Sequence, residues 1–146
     1  MKLPKLVLFL GSLLIVSAIS YGAQATCPSE SLKKMKRLHK IAMEDYDQME
    51  FASARKTLED AISLARRAEC DRTLEYANIL VDLGIMYITD PDNPDESRGR
   101  LRFKRALRVN PCAKINPDLK TPKLQRILDS VRKHIGVVCE GGGRTP

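Results

Sequence analysis

Apolar positions recur through most of the chain at steps of three and four residues, the spacing of one face of an α-helix. Leu32, Met35, Leu38, Ile41, Ala42 and Tyr46 form the first such face, with Ser29 placed to cap it. After a short turn, Phe51, Ala54, Leu58, Ala61, Ile62 and Ala65 form the second. A third helix is expected from about Arg72 to Ile88. Its run Ile79 to Ile88 is apolar on nearly every side except at Asp82, so it should be the buried centre. Asn93-Pro94-Asp95-Glu96 reads as the start of a fourth helix, with Asn93 as the cap, Pro94 at the first helical position and Glu96 three residues after the cap. Thr121-Pro122 marks a fifth start, and Leu124, Ile127, Leu128, Val131 and Ile135 give that helix its apolar face.

Within the third and fourth helices the spacing is more specific. Leu80, Leu83, Gly84 and Tyr87 follow a W-x2-L-G-x2-Y pattern with Leu80 at the Trp position, and Gly99, Phe103, Ala106 and Pro111 follow A-x3-F-x2-A-x4-P. These eight positions resemble one complete tetratricopeptide repeat (TPR). The interval from Tyr87 to Gly99 is about three residues longer than the consensus, which predicts an extended inter-helix turn. Small residues such as Gly84 and Ala106 would let the two helices approach, Tyr87 and Phe103 would fill the space beside them, and Pro111 would end the second helix. Ala54, Leu58 and Ala61 repeat the second half of the pattern with Leu for Phe, as in a degenerate repeat standing directly before the better one. The expected fold is therefore all-α: about two TPR-like hairpins and a C-terminal capping helix, stacked as a right-handed α-solenoid.

Before these helices, Lys2 and Lys5 precede an apolar run from Leu6 to Ile19, and Ala23-Gln24-Ala25 offers small residues where a signal peptidase reads. Residues 1–25 are expected to be a secretory signal peptide. The run is short for a membrane span, and Gln24-Ala25-Thr26 before Cys27 departs from a lipobox, so neither anchoring reading is preferred. Residues 26–135 then form the helical domain and 136–146 a flexible tail. The four cysteines, Cys27, Cys70, Cys112 and Cys139, all follow the leader, and an even count in an exported chain suggests two disulfides. Three connectivities are open. Because antiparallel helices bring the start of the first beside the end of the second, Cys27 with Cys70 is favoured, leaving Cys112 with Cys139. Separations of 43, 42 and 27 positions, with only His39 and His134 besides, do not fit a zinc site, and no metal or other cofactor is expected.

Charge changes the picture for the C-terminal half. The chain carries 25 Lys and Arg against 18 Asp and Glu. Residues 26–97 balance at −5, from 10 basic and 15 acidic side chains, whereas 98–134 balance at +10, from 12 and 2. On a helical wheel Arg98, Arg102 and Arg105 lie on one edge of the fourth helix and Arg100, Lys104 and Arg108 on the other. Such a surface is either an ordinary solvated face or a site for an anionic envelope lipid or polysaccharide. Nucleic acid is not expected as a partner, since Phe103 is the sole aromatic in the stretch.

The TPR resemblance implies a different site, a concave groove lined by the first helix of each repeat that takes a peptide or protein. Lys40, Asn78 and Asp82 are the polar groove candidates. Asp82 stands where the carboxylate-clamping subclass carries Asn or a basic residue, so the clamp is not carried over. No P-loop, Rossmann glycine pattern, G-x-S-x-G or H-E-x-x-H is present. The expectation is a noncatalytic protein-binding module in a bacterial periplasm or cell envelope, and the alternative is a basic module on the envelope surface acting through residues 98–108.

Overall fold

The computed structural model describes residues 26–139, which form five α-helices and no strand. The leader expected at 1–25 and the tail beyond Cys139 lie outside the described residues. Helix α1 (Ser29–Asp47) begins one residue earlier than a Ser29 cap would allow. Pro28 occupies the cap position without a side-chain hydrogen bond, and Ser29 is the first helical residue. Met49, in a left-handed conformation (φ 64°), turns the chain into α2 (Phe51–Arg67). Across this turn Ser53 Oγ donates to Asp45 Oδ2 at 2.7 Å, and the Tyr46 and Phe51 rings meet edge to face with centroids 5.4 Å apart. Ala42 on α1 and Ala54, Ala61 and Ala65 on α2 are buried, so the hairpin closes over small side chains around Met35 and Leu58. A disulfide between Cys27 and Cys70, with Cα atoms 4.6 Å apart, joins the start of α1 to the end of α2.

Helix α3 (Leu74–Thr89) starts two residues after the expected Arg72, because the Thr73 hydroxyl accepts from Tyr76 N and fixes the first turn there. Twelve of its sixteen residues are buried, as its all-round apolar sequence requires. It packs against both α1 and α2, and pairs with α4 (Glu96–Val109).

The start of α4 also differs from expectation. Asp95, not Asn93, is the cap, accepting from Arg98 N at 2.8 Å. The cause lies in Asp90, whose Oδ1 accepts the backbone N–H groups of Asp92 and Asn93 and so folds this segment into its own turn before the helix. Pro94 therefore precedes the helix instead of opening it. Between α3 and α4 the closest approach is glycine on glycine. A Cβ at Gly84 would lie 2.7 Å from the Phe103 ring and 3.0 Å from Gly99 O, and one at Gly99 would lie 2.7 Å from Gly84 O and collide with the Ile88 side chain.

A linker with one 3-10 turn (Pro117–Leu119) leads to α5 (Pro122–Ile135). Thr121 caps α5 by accepting from Leu124 N, as expected, and Gly136 ends it in the left-handed region at φ 68°. Helix α5 buries Leu124, Ile127, Leu128 and Val131 and packs on α4. The linker inserts Ala113 and Ile115 into the core. Three restraints hold it: Arg132 of α5 donates to the carbonyls of Pro111 and Ala113, and a second disulfide links Cys112 to Cys139.

Candidate functional site

On α3, Glu75, Asn78 and Asp82 are spaced by three and four residues and so share one face, which looks toward α1 and the linker. His39 of α1 lies between the two carboxylates. Its Nδ1 is 2.8 Å from Glu75 Oε1 and its Nε2 is 2.7 Å from Asp82 Oδ2. Burial disfavours the charged imidazole, yet the hydrogen bonds to Asp82 and Glu75, with their charges, outweigh it and push the His39 pKa up to about 9. Near neutral pH the ring is therefore an imidazolium that donates from both nitrogens. This accounts for Asp82, a carboxylate only 5% exposed in the most apolar of the described helices.

Beside this cluster is a cavity of about 330 Å³ lined by His39, Asn78 and Asp82 from the two helices and by Lys114, Ile115, Asn116 and Pro117 from the linker. The structure thus brings together two of the three groove residues expected from sequence, Asn78 and Asp82. It leaves out Lys40, whose side chain is 79% exposed and pairs with Glu44 one turn along α1. His39 takes the position that Lys40 was expected to fill. A sequence signal for it existed, since His39 is four residues after Met35 and three before Ala42, on the buried face of α1. The linker residues carried no such signal.

Asp82 also differs in charge from the expectation of a bare groove carboxylate, because His39 neutralises it. With both ring nitrogens occupied, the imidazole has no free lone pair to act as a base. The cavity offers polar recognition: the Asn78 amide, the Asn116 amide and the Lys114 ammonium around an apolar Ile115 and Pro117 wall. Among the described residues no group of His, Cys, Asp and Glu is arranged to hold a metal ion.

The basic positions of α4 divide between two places. Arg98 and Arg102, with Arg55 of α2, surround the Tyr87 ring at 5.7, 5.8 and 5.7 Å from its centroid. Each has a carboxylate partner: Arg98 pairs with Asp95 at 3.2 Å, Arg102 with Glu59 at 3.7 Å, and Arg55 with Asp90. Tyr87 itself donates to Glu59 Oε1 at 2.5 Å. The backbone N–H of Asp92 foremost, with that of Asn93 and the Arg55 guanidinium, holds the Asp90 carboxyl below the usual carboxylate range against the opposing effect of burial. Arg100 and Lys104 lie on the other side of α4, along α5, and Arg100 pairs with Glu96 at 2.8 Å. Arg105 is half-buried and Arg108 exposed.

These residues define an all-α protein built from successive antiparallel helix pairs, with a polar cavity where the first helices of two pairs meet the linker. No family model matches the chain, and no curated protein or solved structure matches it either.

Proposed function

We propose that this chain is a noncatalytic, exported interaction module of TPR type that binds a peptide or protein segment in the bacterial periplasm or cell envelope. The observation that carries this reading is the cavity in which His39, Asn78 and Asp82, from the first helices of two successive hairpins, meet the linker at Lys114 to Pro117. An extended peptide needs amide partners for its own backbone, which Asn78 and Asn116 offer, and Lys114 favours an acidic side chain nearby. The eight-position repeat pattern and the Gly84 to Gly99 contact support the family reading. The two disulfides are compatible with an oxidising compartment, and among the described residues no helix is long and apolar enough to cross a membrane.

The envelope-surface alternative is less well supported, because Arg98 and Arg102 are already paired with Asp95 and Glu59. Site-specific photo-cross-linking in the producing cell tests the choice. A photoreactive residue at position 78 should capture a protein partner, whereas one at position 40 should not. Capture only from positions 98 and 102, or of lipid only, would overturn the proposal in favour of the basic surface.

A further inference from the structure

The α4 residues in the seam with α5 repeat the spacing of the α2 residues in the seam with α3, but what covers them differs. On α2, Ala52, Arg55, Lys56 and Glu59 line the earlier seam, and on α3 Tyr87 faces them. There the chain covers part of the seam itself, and Asn93, Asp95 and Arg98 line the polar cavity of about 260 Å³ that remains. Asn93 and Asp95 of the acidic segment reach it, Asp90 takes Arg55, and Arg98 at the start of α4 stands over the Tyr87 ring. On α4, Ser97, Arg100, Leu101 and Lys104 fall at the same relative spacing as the four α2 residues, and Val131, His134 and Ile135 of α5 face them around a groove of about 430 Å³. No described helix enters this second seam.

Its lining is apolar at Leu101, Val131 and Ile135 and carries the Lys104 ammonium beside the Arg100 guanidinium, which pairs with Glu96. Leu101 is 47% exposed in a helix that buries Phe103, Ala106 and Leu107. We infer that this groove is a docking site for an amphipathic helix of a partner protein, with an aliphatic stripe flanked by carboxylates, which packs along α4 and α5. Charge selects the occupant. The region 98–134 carries 12 basic and 2 acidic side chains, so an acidic helix is attracted and a second copy presenting the same face is repelled. The opposite end of the stack does not suit a second copy either, since the solvent face of α1 carries Lys33, Lys36, Arg37 and Lys40. A groove between two helices matches a helix ridge better than a lipid surface.

This site is separate from the cavity at Asn78, and the test keeps them apart. Synthetic peptides of about four helical turns, each with a Leu stripe flanked by Glu, Gln or Lys, are titrated against the oxidised protein by fluorescence anisotropy. Binding should rank Glu above Gln above Lys and weaken with salt. Leu101→Glu, a change at an exposed position, should weaken the Glu peptide by about tenfold or more, and Lys104→Glu should reduce its salt dependence. Asn78→Ala should leave it unchanged. Absence of binding by all three peptides, indifference to Leu101→Glu, or loss with Asn78→Ala alone would overturn the inference. So would anionic phospholipid vesicles that bind more tightly than the Glu peptide, or a Leu101-dependent dimer in sedimentation, which would make lipid or a second copy the occupant.

Discussion

Replacing His39 with Gln removes the imidazolium that holds Glu75 and Asp82, and the consequence should depend on pH in a defined direction. In the unfolded chain the imidazole titrates near its ordinary value of 6.5, and in the folded protein near 9. A group whose pKa is raised by folding stabilises the native state fully below the unfolded value, and that contribution is lost as pH rises through the folded one. The window is therefore about pH 6.5 to 9, and stability should fall across it. A difference of about 2.5 units corresponds to on the order of 3 kcal/mol. Urea melts of the wild type and of His39→Gln, taken at about pH 6 and about pH 10, isolate this contribution, because the other titrating groups are common to both proteins. The stability advantage of the wild type should shrink by on the order of 3 kcal/mol between the two pH values. An advantage that is constant with pH, or that grows toward alkaline pH, would refute a charged His39 between the carboxylates.

Three further outcomes are expected. Gly84→Ala should cost about 1–3 kcal/mol in a denaturant melt, because its Cβ would stand 2.7 Å from the Phe103 ring with Gly99 behind it, and an unchanged midpoint would contradict the close approach. Simultaneous Cys27→Ala and Cys70→Ala should cost about 4 kcal/mol in the chain-entropy account of a bridge spanning 43 positions, and peptide mapping without reductant should recover Cys27 with Cys70 and Cys112 with Cys139. Asp95→Ala should cost about 1 kcal/mol by removing the α4 cap, whereas Asn93→Ala should cost far less, since Asn93 contributes only its backbone N–H to Asp90; equal losses would restore Asn93 as the cap.

The helices were legible because their apolar residues repeat at helical steps and because each hairpin is local in sequence. Gly84 could be read as a packing contact, since a small residue among large apolar ones needs a reason, but the small residue expected with it is Ala106, and the backbone it meets is that of Gly99. The helix starts were less legible. Asn93-Pro94 has the right residue types, but the choice of Asp95 depends on Asp90 claiming the N–H groups of Asp92 and Asn93, a competition invisible to a capping pattern. The site was read in half. Asn78 and Asp82 follow from their place on α3, while His39 was passed over for its neighbour Lys40 because the rotation of α1 about its axis decides which of the two faces inward. The linker wall at Lys114 to Pro117 has no periodicity to betray it. Its position depends on Ile115 entering the core and on Arg132, far along the chain.

That linker has one more consequence, for the thermodynamics of capture. An irregular segment that frames a binding cavity usually has to be immobilised when the ligand arrives, at about 1–2 kcal/mol for each residue whose backbone becomes fixed. Here Cys112 is bonded to Cys139, two linker carbonyls are held by Arg132, and Ile115 is anchored in the core. The wall is held without a ligand, so the peptide of the proposed function would meet a preformed surface and keep more of its contact energy as affinity. The second disulfide thus acts at a distance, setting how rigid one side of the cavity is without lining it.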